Sequence, residues 1–231
     1  MTKRSWLSAA FLMIVIPALL YLSFRLGNRY YYLASFGVVI ASMIPFFLSF
    51  ERRKPQAREM SVLATMCALA IASRAAFVWA PGFKPTCAII MITGIAFGAE
   101  SGFLVGAVTA FASNFLFGQG PWTPWQMFAM GLIGFLGGVC FHNGPLRPAR
   151  LSLAIFGAVC SVVVYGGIMN PSTALIWART LDWKVLLSYY LTGIPWDLVR
   201  GAATALFLWF GAEPMLEKLE RIQIKYGLME H

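Results

Sequence analysis

Long apolar runs, separated by short polar or charged segments, fill most of this chain. A helix that crosses a lipid bilayer needs about 20 apolar residues, and most of the runs approach or exceed that length. The run at 86–117 is too long for one crossing, and Glu100 near its centre would place an unpaired carboxylate in lipid, so we divide it at 100–102. The pattern predicts an all-α fold, a polytopic membrane helix bundle of about eight transmembrane helices. The apolar runs lie at 6–24, 30–50, 60–79, 86–117, 127–141, 151–168 and 186–210, the last with an interruption expected at 193–195.

The composition agrees with a membrane protein, since 59% of the 231 residues are hydrophobic, 12% are charged and the mean hydropathy is +0.72. Soluble domains are far less apolar, so we exclude that class. The four cysteines stand singly inside apolar runs and are expected to be small core residues. The histidines are His142 and His231 alone, so we expect no metal site, no cofactor and no enzymatic function.

The basic residues predict the orientation of the chain in the membrane. With the N-terminus in the cytoplasm, eleven lysines and arginines lie inside and five outside, as the positive-inside rule requires. An even number of helices then places both termini in the cytoplasm. This bias and contact with anionic membrane lipids account for most of the net charge of +9, so no nucleic-acid partner is expected.

The charged segment around 51–60 divides the chain. We expect two N-terminal transmembrane helices at 1–50, a basic cytoplasmic linker at 51–58 and a six-helix core at 59–212. The remaining residues, 213–231, space their apolar side chains at helical intervals among charges. They predict a short amphipathic helix that lies on the cytoplasmic membrane surface or against a partner.

Small residues recur at helical spacing in the predicted core. Ala64, Ala68 and Ala72 follow one another every four residues and therefore share one face of a helix. Glycines repeat in the same way on the next two helices. Such stripes allow close helix contact, and two interpretations remain open: packing between neighbouring helices of this chain, or docking of another membrane subunit.

Polar residues at membrane depth are few. Arg74 falls near the outer end of one predicted helix and Asn114 near the outer end of another. Asp197 and Arg200 are three residues apart on the last helix and so share a face. A charge inside a bundle must pair or meet a polar ligand, so this pair either neutralises itself or contributes to a binding site.

The segment at 113–131 combines tryptophans, prolines, amides and glycines in an otherwise apolar chain. Its glycines and prolines predict an outer loop that acts as a mobile lid bordering a cavity. Trp122 and Trp125 would stack on a ligand, while Gln119 and Gln126 would bond to its polar edge. The alternative is that the tryptophans form an interfacial aromatic belt.

Three features together resemble the substrate-binding S component of energy-coupling factor (ECF) vitamin transporters. They are the alanine stripe, the glycine-rich sequence GIAFGAESGFLVGAVTAFASNFLFGQGPW at 94–122 and the sequence YLTGIPWDLVRG at 190–201. The resemblance covers roughly residues 59–212, whereas the two preceding helices depart from the six-helix pattern and have no role in it.

The resemblance implies a multi-pass protein of the bacterial cytoplasmic membrane that works with a transmembrane coupling subunit and two ATP-binding-cassette ATPases. It implies that Ala64, Ala68 and Ala72 contact the coupling subunit. It also implies a vitamin-binding site in the outer part of the core. The residues placed there are Arg74, Asn114, Gln119, Trp122, Trp125, Gln126, Asp197 and Arg200.

The substrate within this family is a further hypothesis. Several tryptophans, amides and an apparent balance of charge favour a large planar molecule with amide groups. We therefore take cobalamin or a related precursor as the first choice, followed by riboflavin-like and pterin-like ligands. Two other function classes remain: a proton-coupled secondary transporter that uses Asp197 and Arg200, and an intramembrane enzyme. The sequence contains no recognisable catalytic motif, which argues against the enzyme.

Overall fold

Seven helices account for nearly all of the residues that the computed structural model describes, which are 31–52, 55–142, 144–178 and 182–227. The predicted helix at 6–24 lies outside them. No β-strand occurs in these ranges, and four helices (α2, α4, α5 and α6) are long and apolar enough to cross a membrane. The predicted all-α, polytopic membrane bundle is therefore confirmed. The helices are α1 (Tyr31–Arg52), α2 (Ala57–Ala76), α3 (Thr86–Phe97), α4 (Ala99–Phe117), α5 (Thr123–His142), α6 (Arg150–Trp177) and α7 (Trp183–Tyr226).

The long apolar run at 86–117 is divided as expected, but the break falls at Gly98. Gly98 has a φ of 92°, a left-handed conformation that glycine adopts without strain, and it separates α3 from α4. Glu100 consequently lies in the first turn of α4. The positive end of the helix dipole stabilises a carboxylate at that position. The sequence pattern alone had placed this carboxylate in lipid without a partner.

The interruption expected at 193–195 is wrong, because α7 runs without a break from Trp183 to Tyr226. Pro195 removes one backbone hydrogen bond but remains inside the helix. Such prolines are tolerated in membrane helices when neighbouring groups satisfy the freed backbone, and α7 packs against α6 and α3.

The separate amphipathic helix expected at 213–231 is also wrong. Residues up to Tyr226 form the last part of α7, and Leu219 is buried. Met215, Leu216 and Ile222 pack against the same core. The apolar face of this segment thus covers the bundle of its own chain.

Glycines bring α3, α4 and α5 into backbone contact. A Cβ on Gly102 would lie 2.4 Å from the carbonyl oxygen of Gly134, and a Cβ on Gly106 would lie 2.3 Å from that of Met130. Of the two interpretations of the small-residue stripes, internal packing is therefore the correct one for the glycines. These close contacts fix α4 against α5, the two helices that carry much of the polar site.

Helix α1 packs into the same core as the later helices. The ring of Phe46 stacks on Phe103 of α4 with 4.0 Å between centroids, and it meets the edge of Phe135 of α5 at 5.0 Å. Met43 and Phe50 are buried as well. The second of the two predicted N-terminal helices, for which the sequence offered no role, thus completes the core formed by the described helices.

Candidate functional site

A chain of polar side chains crosses five helices in the half of the bundle that the basic residues predict to face outward. It begins in the last turn of α2 with Arg74, passes through Asn114 near the end of α4 and Gln126 in the first turn of α5, and continues to α6 and α7. We call this set the outer polar chain. Its members are Arg74, Ser113, Asn114, Thr123, Gln126, Tyr165, Asn170, Asp197 and Arg200.

Asn114 is the junction of the first half of this chain. Its Oδ1 accepts from Arg74 Nη1 at 3.0 Å, and its Nδ2 donates to Thr123 Oγ1 at 3.1 Å and to Gln126 Oε1 at 2.9 Å. Arg74 also donates to Ser113 Oγ. Asn114 is only 1% exposed, and a buried amide is tolerated in apolar surroundings only when it is hydrogen-bonded. These bonds therefore hold α2, α4 and α5 together at one point.

Tyr165 links the first half of the chain to the second. Its hydroxyl accepts from Gln126 Nε2 at 3.2 Å, and the guanidinium of Arg200 lies over its ring, 4.1 Å from the centroid. Tyr165 ends a π-helical segment of α6, Cys160–Tyr165, in which the helix widens. Such segments rotate the following side chains relative to a regular helix and are frequent at functional sites.

Asp197 is held by two partners. Arg200 Nη1 donates to its Oδ1 at 2.6 Å, and Asn170 Nδ2 donates to its Oδ2 at 2.8 Å. The carboxylate also packs on Gly166, since a Cβ there would lie 2.4 Å from Oδ2. The ion pair that the spacing of Asp197 and Arg200 allowed is thus formed, and it is mostly buried, with side-chain exposures of 7% and 22%.

Lys84 and Phe117 lie beside the outer polar chain. The ring of Phe117 has the Arg74 guanidinium 4.9 Å and the Lys84 ammonium 5.4 Å from its centroid, both within the range of cation–π attraction. Lys84 belongs to the segment between α2 and α3. Partial burial, and after it the charges of Arg74 and Arg200, lower the pKa of Lys84 from its ordinary value.

The family of the chain is decided by a comparison that covers this region. The sequence model of the family described as ECF-type riboflavin transporter, S component, matches residues 54–209. The chain belongs to this family. No curated protein and no solved structure matches it.

The matched residues of this S component include the whole outer polar chain and the alanine stripe. The resemblance seen in the sequence is confirmed, and the protein is a multi-pass, vitamin-binding membrane subunit of an ECF transporter. Its family is one of transport components and is not an enzyme class. Within the described ranges, no three His, Cys, Asp or Glu side chains are grouped so that they could hold a metal ion.

The structure of this S component brings together five of the eight sequence-predicted binding residues. Arg74, Asn114, Gln126, Asp197 and Arg200 all belong to the outer polar chain. Sequence reasoning did not select the other members or the two neighbours in contact with them. Those residues are Lys84, Ser113, Phe117, Thr123, Tyr165 and Asn170.

The predicted outer loop of the S component is shorter than expected. Helix α4 extends to Phe117 and α5 begins at Thr123, so Trp125 and Gln126 are buried helix residues and the expectation that they lie in a loop is wrong. Pro124 occupies the second position of α5, where a proline lacks no needed hydrogen bond.

The five remaining loop residues, 118–122, are bonded to the helices on both sides. Gln119 Nε2 donates to the Phe111 carbonyl at 3.0 Å, and Gln119 Oε1 accepts from Thr123 Oγ1 at 2.9 Å. The ring of Trp122 covers Gly120, since a Cβ there would lie 2.4 Å from it. Gln119 and Trp122 therefore lie next to the outer polar chain through Thr123, while their role as a lid remains a prediction.

The alanine stripe lies on the surface of the S component. Ala64, Ala68 and Ala72 are all exposed, and the side of α2 that faces the core instead carries Leu63, Met66 and Ala70. No helix in the described part of the chain covers this stripe, and docking of another membrane subunit, the second interpretation, stays a prediction.

Proposed function

We propose that this S component captures a flavin, riboflavin or a close derivative, at the outer polar chain. The description of the family that matches residues 54–209 names riboflavin, and this match is the observation that carries the proposal. Cobalamin, the first choice from composition, receives no support from it, whereas the riboflavin-like alternative does.

The chemistry of the outer polar chain suits a flavin. The isoalloxazine ring is planar and carries carbonyl oxygens and ring nitrogens along one edge, and the ribityl chain adds hydroxyl groups. The guanidinium of Arg200 is a donor for the carbonyl oxygens, and that of Arg74 is a donor for the ribityl hydroxyls. The amides of Asn114 and Gln126 hold Arg74 and Tyr165 in position. The rings of Phe117 and Tyr165 add aromatic surface beside these groups.

The proposal also places this S component in the bacterial cytoplasmic membrane, together with a transmembrane coupling subunit and two ATP-binding-cassette ATPases. The exposed face formed by Ala64, Ala68 and Ala72 supports docking of the coupling subunit there. Small side chains let two helices approach closely, and close approach is the main source of helix association in lipid.

Flavin binding to the purified protein tests the proposal. Riboflavin fluorescence should be quenched on addition of the protein, and cobalamin at equal concentration should not displace the flavin. Arg74→Gln should weaken riboflavin binding about tenfold, roughly the 1.4 kcal/mol expected for one hydrogen bond to a charged group.

A matched control is Arg150→Gln. Arg150 pairs with Glu213 at the opposite end of the bundle, so its loss removes the same charge far from the outer polar chain. Its affinity for riboflavin should equal that of the wild type. The proposal would be contradicted if cobalamin abolished the quenching of riboflavin fluorescence. It would also be contradicted if Arg74→Gln and Arg150→Gln bound riboflavin with equal affinity.

A further inference from the structure

Positive charge exceeds negative charge at the outer polar chain. Three cationic side chains lie there, Arg74, Lys84 and Arg200, and they act on one another electrostatically. The carboxylate among the bonded side chains is that of Asp197, so three positive charges and one negative charge leave a local excess of two. The sequence-predicted residues Arg74, Arg200 and Asp197 already carry one excess positive charge, and Lys84 adds the second.

Two of the cations have no anionic partner within the described part of the chain. Arg74 donates to the neutral side chains of Ser113 and Asn114, and Lys84 faces the ring of Phe117. Of these three cations, only Arg200 pairs with a carboxylate among the described residues. Like charges in a partly buried place raise the free energy of the site unless an anion offsets them.

Phe117 brings the two cations without a carboxylate partner close to each other. The Arg74 guanidinium and the Lys84 ammonium lie 4.9 Å and 5.4 Å from the same ring centroid, so they are no more than about 10 Å apart and attract the same anion. Arg74 is also turned into the bundle, because Ser113 and Asn114, its hydrogen-bond acceptors, are 0% and 1% exposed. That direction favours a ligand inside the bundle over the head group of a surrounding lipid.

We propose that the ligand of this S component carries an anionic group, a phosphate ester or a carboxylate, and that Arg74 and Lys84 hold it. Arg200 stays with Asp197 and lines the uncharged part of the ligand. The inference rests on the proposed function, since it describes a flavin with an anionic side chain. Charge-assisted hydrogen bonds from two cations are roughly twice as strong as neutral ones, so the anionic form should be preferred.

Two flavins that differ only in charge test the inference. Riboflavin and riboflavin 5′-phosphate are titrated, by flavin fluorescence, into the protein in phosphatidylcholine nanodiscs. The wild type should bind the phosphate ester more tightly. Lys84→Gln should weaken binding of the ester about tenfold and change riboflavin binding less than twofold, because the neutral flavin does not use the ammonium.

Lys184→Gln is the matched control, since Lys184 is an exposed lysine at the start of α7 and no ion pair joins it to another described residue. It should leave both affinities unchanged. If Lys84→Gln weakens binding of both flavins equally, the inference is overturned. The proposed function still stands in that case, because the wild type binds riboflavin. Failure of the wild type to bind either flavin would overturn both.

The phosphate of a lipid head group is the other anion that could bind Arg74 and Lys84. A second set of nanodiscs distinguishes binding of a head group from binding of the ligand. With phosphatidylglycerol in place of phosphatidylcholine, the preference for the phosphate ester should persist. Its disappearance would assign Arg74 and Lys84 to anionic head groups and would overturn the inference.

Discussion

Gly134→Ala should separate helices α4 and α5. A Cβ at residue 134 would lie 2.2 Å from the carbonyl oxygen of Gly102 and 2.5 Å from its carbonyl carbon. Non-bonded heavy atoms prefer about 3.5 Å, so the two helices would have to move apart by roughly 1 Å. The obstacle is backbone on both sides, and no side-chain rotation can relieve it.

The magnitude follows from two opposing effects. Alanine is favoured over glycine by about 1 kcal/mol inside a helix, whereas overpacking costs about 1–3 kcal/mol or more when the backbone must shift. Because the contact is backbone against backbone, we take the upper end and expect a net loss of about 2 kcal/mol in unfolding free energy. For a protein of this size that corresponds to a fall in Tm of roughly 4–8 °C.

Thermal unfolding of the purified protein in detergent measures this effect, with Gly211→Ala as control. A Cβ on Gly211, inside α7, meets nothing within 4 Å, so this variant should be as stable as the wild type or slightly more stable. Separation of α4 from α5 should also stretch the 2.9 Å bond from Asn114 to Gln126 and weaken flavin binding. Equal Tm values for the two variants would refute the reasoning from backbone contact.

Three further predictions address the ion pair, the alanine stripe and α1. Asp197→Asn and Arg200→Met should each lower Tm by more than the double variant does, because a buried charge without its partner costs several kcal/mol. A double variant that is no more stable than either single variant would contradict the pairing. Ala68→Trp should keep flavin binding by the isolated protein and abolish uptake by the assembled transporter, whereas loss of both would argue against docking. Phe46→Ala should lower the unfolding free energy by about 3 kcal/mol, since it empties a site against Phe103, and an unchanged Tm would show that α1 does not complete the core.

The sequence predicted the helices well where length and hydropathy alone decide them. The run at 30–50 became α1 and the run at 60–79 became α2, each shifted by a few residues. Local rules failed where packing overrides them. Pro195 on its own predicts a break in the helix. However, α7 continues through it, and the segment is bonded to α6 on both sides, through Tyr190 before the proline and Asp197 after it.

The candidate site was partly predictable because charges and amides are rare at membrane depth. Arg74, Asn114 and Asp197 stand out in apolar runs, and the structure places them in one chain of contacts. Tyr165 and Lys84 gave no such signal, since a tyrosine suits an apolar run and a lysine suits a loop. Asn170, an amide inside an apolar run, carried the same signal as Asn114 and could have been selected.

The direction in which the alanine stripe faces could not be predicted. The spacing of Ala64, Ala68 and Ala72 gives the same face of α2 whether it meets another helix of this chain or a partner. Only the three-dimensional arrangement shows that Leu63 and Met66 fill the core, so that the alanines remain outside.

Uptake of labelled riboflavin by proteoliposomes tests the central claim most directly. The S component is reconstituted with and without a coupling subunit and its two ATPases, with ATP on the side of the ATPases. We predict uptake that requires both the partners and ATP and that survives collapse of the proton gradient. Uptake by the chain alone that stops when the proton gradient is collapsed would contradict the account and identify a secondary transporter.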